Sequence, residues 1–331
     1  MSNIYVKNYK SILNLEETEI AIKYVKDTFE LLLQKYLGLT RVSAPLFVDP
    51  TTGLNDNLNG YEKAVSFNAH EDNTQLEIVQ SLAKWKRNAL NKYGFKGIYT
   101  DMNAIRPYEE LDNIHSLYVD QWDWEMIINE SDRNIEFLKS IVKKIYKALI
   151  DTSNLLNKKY PLLKHYLPNE ITFISASELE DMYPNLSRKE RENKIAKKYG
   201  AVFLTQIGDD LKDGKPHDGR SADYDDWKLN GDIILWYEPL NIAYEISSMG
   251  IRVDSKSLKY QLEKKHEEYK LNYKYHQDVL NNQLPLTIGG GIGQSRMCLF
   301  MLNKVHIGEV QASYWSKEDI EKFSKININL L

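Results

Sequence analysis

Between positions 16 and 38, apolar side chains recur at helical spacing (Ile20, Ile22, Val25, Phe29, Leu32, Leu33, Leu37), with acids in the first turn and Gly38 after the last apolar position. This predicts an amphipathic helix with a glycine stop. The β-branched stretch that follows contains Pro45, which has no amide hydrogen for a ladder, so an edge or interface strand is expected there. Alternation predicts strands in 61–69 and 75–80, and 81–94 reads as a helix with Ser81 at its N-cap. Lys84 and Lys86, two apart, cannot share a face of that helix.

Period-two patterning is clearest in 97–106 and 115–125, expected as antiparallel strands joined by the turn PYEELDN. In the second, Gln121, Asp123 and Glu125 share one face, and Tyr118, Asp120, Trp122 and Trp124 the other. An amide and two carboxylates in a row read either as the floor of a site or as a solvated edge. Downstream, the pattern gives a long amphipathic helix near 132–158, a strand at 171–174, helices near 177–183 and 187–199, and a buried strand from Ala201. An aspartate-rich polar loop over 209–231 follows, then a strand pair at 232–236 and 242–253 and a helical stretch over 255–282. The glycine run at 289–296 is expected to turn the chain into a last helix. Helices are grouped and do not alternate with strands, so the fold class is α+β: a mostly antiparallel mixed sheet flanked by helices. No linker, repeat or low-complexity tract divides 1–331, which reads as a single domain.

Composition narrows the partners. The 331 residues are 42% hydrophobic and 27% charged, ordinary for a globular chain. A net charge of −4 offers no basic excess for counterion release, so nucleic acid is not expected as a partner. The longest uncharged run, 279–295, carries Pro285 and four glycines and cannot span a membrane, and no secretory signal is expected at the N-terminus. One cysteine, Cys298, excludes an intrachain disulfide and fits a reducing, cytoplasmic location.

The chemistry concentrates in GGGIGQSR at 289–296, where bare backbone meets an arginine. The run matches neither the phosphate loop nor the dinucleotide fingerprint, and a plain glycine-rich turn remains open. Arg106, and the carboxylates Asp232 and Glu245 inside strand-like segments, add to it. Arginines hold phosphate oxygens while one or two carboxylates hold Mg²⁺, so the set suits a nucleotide triphosphate.

The blocks NDNLNG (55–60), SLAKWKR (81–87), IRP (105–107), HSLYVDQWDWE (115–125), DYDDW (223–227), LNGD (229–232), EISSMGIRVD (245–254) and GGGIGQSR together resemble asparagine synthetase A, the ammonia-dependent aspartate–ammonia ligase family, along essentially the whole chain. The resemblance implies the catalytic core of class II aminoacyl-tRNA synthetases, nearest the aspartyl and asparaginyl enzymes. It also implies a cytoplasmic homodimer joined through the Pro45 segment and the first helix, and a reaction in which aspartate attacks ATP to give β-aspartyl-AMP, which ammonia converts to asparagine.

In that family pattern Arg106 and Arg296 take the motif 2 and motif 3 positions against the phosphates, and Asp232 and Glu245 the Mg²⁺ pair. Lys86 and Arg252 would hold the substrate carboxylate that is not activated, Gln121, Asp123 and Asp225 its ammonium group, and Ser81 and Ser248 neutral hydrogen bonds. Asp56 would handle the proton of the incoming ammonium. A single residue, Lys228, links DYDDW to LNGD where some relatives carry an insertion, which leaves the shape of that loop open. No amidotransferase segment is present, which disfavours glutamine as nitrogen donor. Two other readings stay in view: an aminoacyl transferase on the same core, disfavoured by the lack of a separate basic module for tRNA, and an amino-acid-binding paralogue without catalysis, disfavoured by the phosphate and metal ligands.

Overall fold

The computed structural model describes residues 3–56, 63–164 and 167–331. Residues 57–60 of NDNLNG and 61–62 of the strand expected over 61–69 therefore lie outside the described residues. Helix α1 (Leu15–Leu37) opens on a capping box in which Asn14 and Glu17 exchange side-chain and backbone hydrogen bonds, and it stops at Gly38, φ 68°.

With strands numbered along the chain, the large sheet has the order β1 (Thr40–Arg41), β5 (Gly97–Ile105), β6 (Tyr118–Ile127), β11 (Thr287–Gly293), β10 (Ile242–Arg252), β9 (Asp225–Tyr237), β8 (Ala201–Thr205) and β7 (Thr172–Ser175). The terminal pairs β1–β5 and β7–β8 are parallel and the inner pairs antiparallel, as the α+β reading expected. A three-stranded sheet joins β2 (Phe47–Val48), β4 (Gln75–Ile78) and β3 (Ser66–Asn68). Pro45 lies between two-residue strands, as its missing donor requires.

One face of the large sheet is apolar. Trp122 and Trp124 of β6, Ile246, Met249 and Ile251 of β10, and Ile288 and Ile292 of β11 are buried in one cluster with α1, α3 (Ile135–Lys159) and α8 (Gln294–Met301). Phe29 of α1 meets Trp122 with ring centroids 4.9 Å apart. Removing side chains of this size from water contributes about 1.5–3 kcal/mol each, enough to fix which face β6 turns inward. Its alternation then places Gln121, Asp123 and Glu125 on the opposite face. No helix among the described residues is long and apolar enough to cross a membrane.

Four local expectations are corrected. Helix α2 (Ala83–Tyr93) has Leu82 at its N-cap position, and Ser81 lies one residue earlier, its Oγ accepting the Ala83 amide at 3.2 Å. The second strand of the hairpin runs three residues later than 115, at Tyr118–Ile127, because 115–117 are held in the preceding loop. The polar loop ends at Tyr224 and β9 begins at Asp225, well before Asp232, because Asp225 and Asn230 pair with Arg252 and Gly250 of β10. The stretch 255–282 breaks into α6 (Ser255–Lys265), a 3₁₀ turn (Glu268–Asn272) and α7 (Lys274–Leu280), because 263–268 hold no apolar residue and His266 is left-handed, φ 56°. Helices α4 (Ala176–Met182) and α5 (Arg188–Tyr199) lie near their expected places.

The glycine run is the largest departure. Its glycines lie in β11 between β6 and β10, none with positive φ, and α8 is not the last helix, since α9 (Lys317–Ser324) follows. A Cβ at Gly289 would collide with the carboxylate of Glu125 and the guanidinium of Arg252, and one at Gly291 with the amide of Gln121. The glycines leave room for polar side chains of the neighbouring strands to lie across the middle of the sheet.

Candidate active site

The polar face of the sheet forms the floor of a cavity of about 350 Å³, within the range of small-ligand sites. Strands β6, β10 and β11 supply the floor, α2 one wall, and the loop before β9 another. A β-bulge between Glu245 and Ser247 shifts the alternation of β10 by one residue, so that Glu245 and Ser248 both reach the cavity.

At its deep end every charge is buried and paired. Lys86 Nζ, 1% exposed, donates to Asp123 Oδ1 at 2.6 Å and to the Gly290 carbonyl at 2.9 Å. Arg252 donates to Glu125 through Nε (3.0 Å) and Nη2 (2.6 Å), and through Nη1 to Asp225. Burial pushes the Lys86 ammonium below the ordinary lysine range and the Asp225 carboxyl above the carboxylate range, each against its ion-pair partner. Donors remain: one N–H on Lys86 and one on each terminal nitrogen of Arg252. Asp123 Oδ2 is buried with no partner, a vacant acceptor on the carboxylate that holds Lys86. A small molecule carrying both a carboxylate and an ammonium satisfies all of them.

The outer end is looser. Arg106, at the end of β5, has its backbone tied to Leu117, but its half-buried guanidinium has no side-chain hydrogen bond or ion pair among the described residues, and its Nε is buried without a partner. Arg296, in the first turn of α8, reaches the Glu245 carbonyl at 3.1 Å and Oε2 at 3.4 Å. A third arginine, Arg220, donates to Ser248 Oγ at 2.9 Å, lies 3.2 Å from Asp218 and pairs with Asp232. Burial, with Glu245 and Asp218 adding to it and Arg220 opposing, pushes the Asp232 carboxyl well above the usual carboxylate range.

The structure brings Asp56, Ser81, Lys86, Arg106, Gln121, Asp123, Asp225, Glu245, Ser248, Arg252 and Arg296 to the lining of one cavity. Asp232 is not in that lining; it stands behind Arg220, its Oδ1 buried without a partner. Sequence reasoning missed Arg220, Tyr224 and the role of Glu125. The available signal for Arg220 was its place as the sole arginine in the aspartate-rich loop. Glu125 was visible as the third member of the polar strand face, but not its partner 127 residues away.

Among the described residues no group of three or more His, Cys, Asp or Glu is arranged for a metal. Mg²⁺ bound through phosphates takes only one or two carboxylates; of the expected pair, Glu245 lines the cavity, while Asp232, its Oδ1 buried without a partner, lies outside that lining and is held by Arg220.

The sequence profile of the aspartate-ammonia ligase family matches residues 16–327. An aspartate–ammonia ligase from Ruminiclostridium cellulolyticum is 57% identical over 334 residues, covering 100% of this chain and 99% of the relative. One from Fusobacterium nucleatum is 59% identical over 326 residues, covering 98% and 99%. Among solved structures, the asparaginyl-tRNA synthetase of Pyrococcus horikoshii superposes with TM-score 0.64 at 16% identity, covering 89% of this chain and 68% of the other. An aspartyl-tRNA synthetase from Entamoeba histolytica gives 0.58 at 16%, covering 89% and 58%. The fold expected from the sequence is thus the one these class II synthetases share.

Proposed function

From the premise that the chain belongs to the aspartate–ammonia ligase family, we propose that it makes asparagine from aspartate, ammonia and ATP through β-aspartyl-AMP, releasing AMP and pyrophosphate. The observation that carries this reading is the division of one cavity into a buried, charge-paired end and a looser end where, among the described residues, Arg106 has no side-chain partner.

Aspartate lies with its α-carboxylate on the remaining donors of Lys86 and Arg252 and its ammonium on Asp123 Oδ2, which points the β-carboxylate toward Arg106 and Arg296. A β-carboxylate oxygen attacks the α-phosphorus, the bond to the bridging oxygen breaks, and pyrophosphate leaves with the electron pair. Arg106 stabilises the charge that builds on the α-phosphoryl oxygens, a contribution of about 3–4 kcal/mol for one well-placed donor in a site of this kind. Arg296 and Arg220 hold the outer phosphates. Mg²⁺ held by Asp232 and Glu245 would neutralise the departing pyrophosphate. For this, Arg220 exchanges its Asp232 contact for phosphate.

In the second step ammonia attacks the acyl carbon, the bond to the AMP oxygen breaks, and the nitrogen passes a proton to a carboxylate. Asp56, 3% exposed and in the cavity wall, suits that role. The protein acts as a homodimer in this reading, supported by Leu31, Leu46 and Phe47 exposed on α1 and beside Pro45. A monomer in solution scattering would overturn that part. The reaction is tested by incubating the protein with aspartate, ATP and Mg²⁺, with and without ammonium. AMP and asparagine are expected together with ammonium; ADP as product would exclude the adenylate route.

A further inference from the structure

A second cavity, of about 200 Å³, is lined by residues from three of the segments that line the first. Three segments turn neighbouring residues to the two sides: Asn55 against Asp56, Lys84 against Lys86, and Asp223 against Tyr224. The second cavity has room for several molecules of about 30 Å³, yet the reaction proposed above assigns it nothing.

Its charges favour a small cation. Lys84 is bound to the buried Asp223 at 2.8 Å, and Lys270 lies 2.8 Å from Glu267 and 3.8 Å from Asp223, so the charge of each lysine is balanced by a carboxylate. Glu77 lines the same cavity and, among the described residues, has no cationic partner; its Oε2 accepts only the Asn55 amide, at 3.0 Å. His276 lines it too, with Nε2 at 2.9 Å from Asp223 and a buried Nδ1 that has no partner. Burial lowers the His276 pKa against the pull of Asp223, and with the ring proton on Nε2 facing that carboxylate, Nδ1 is a hydrogen-bond acceptor. An unpaired carboxylate and a vacant acceptor suit a group with several N–H donors and one positive charge.

The second step has a use for such a site. Once the acyl-adenylate is formed, aspartate fills the deep end of the main cavity and the nucleotide its mouth, while the nitrogen donor still has to reach the acyl carbon beside Asp56. We infer that the second cavity is the entry site for ammonium, which it gathers at Glu77 and delivers through the Asn55–Asp56 wall while the main mouth is closed by the nucleotide. This rests on the reaction proposed above.

The test separates the two half-reactions. Aspartate-dependent ATP–pyrophosphate exchange, run without ammonium, reports adenylation; asparagine formation against ammonium concentration reports entry. Glu77→Gln keeps an acceptor for Asn55 and removes the charge, and Glu77→Lys reverses it. Exchange is expected within about twofold of wild type in both, while the KM for ammonium rises about tenfold in the first and more in the second, as loss and reversal of a guiding charge require. Rubidium, close to ammonium in size, is expected to compete with ammonium in wild type and to lose that effect in Glu77→Gln. An unchanged ammonium KM in both variants would overturn the inference. So would loss of exchange in step with asparagine formation, which would make Glu77 a residue of the fold. Absence of exchange in wild type would instead remove the adenylate reading itself.

Discussion

The two ends of the main cavity are built on opposite principles. At the deep end Lys86, Arg252, Asp123, Glu125 and Asp225 are each at most 4% exposed and joined by short contacts. At the outer end Arg296 and Glu245 are 3.4 Å apart at 23% and 41% exposure, and Arg106 has no ion-pair partner among the described residues. Buried charges are tolerated only where partners surround them, so the deep end is folded into the protein and its charges cannot be removed singly. At the outer end Arg106 and Arg296 are left under-engaged, available to a ligand that brings its own negative charge, while Arg220 is already paired with Asp232 and Asp218.

The largest effect should therefore fall on folding. Arg252→Ala strands Glu125 and Asp225 without their cation and is expected to cost about 3–5 kcal/mol of stability, read by urea unfolding. A variant as stable as wild type would show that the deep end is not a structural unit. Arg106→Ala should do the reverse: pyrophosphate exchange falls about 10²–10³-fold, while the unfolding midpoint stays close to wild type. A parallel loss of stability would erase the distinction.

How much of this contrast the sequence disclosed depends on range. Polarity along β6 exposed Gln121, Asp123 and Glu125 because strand alternation is local, and α1 announced its glycine stop and apolar stripe. The glycine run, expected to turn the chain into the last helix, does lead into α8, but its glycines form a strand for a cause that is not local. Gly289 and Gly291 are small on account of side chains from other strands, Glu125, Arg252 and Gln121, that lie over them. Arg220 was lost for a related reason: its loop has no period, and its partners Ser248 and Asp232 lie on different strands. The start of β9 was missed because its first half is polar, and strand pairing with β10, not burial pattern, defines it.

A smaller effect sharpens the comparison through pH. Burial lowers the Lys86 pKa, so its charge is lost as pH rises through a value below the ordinary lysine range. In the proposed reading the α-carboxylate of aspartate rests on that charge, so its dissociation constant should rise earlier on the alkaline side than an ordinary lysine would allow. Nucleotide binding, which relies on arginines, should stay flat over the same interval. Calorimetric titration of each ligand across pH measures both; parallel curves would show that the two ends do not differ in this way.

The most direct measurement of the central claim follows one oxygen atom. With aspartate carrying ¹⁸O in its β-carboxylate, ATP, Mg²⁺ and ammonium, the label should appear in AMP, because the attacking oxygen becomes the acyl-phosphate bridge and departs with the nucleotide. Label in inorganic phosphate, accompanied by ADP, would mean that aspartate is activated at the terminal phosphate and that the cavity is not the adenylating site described above.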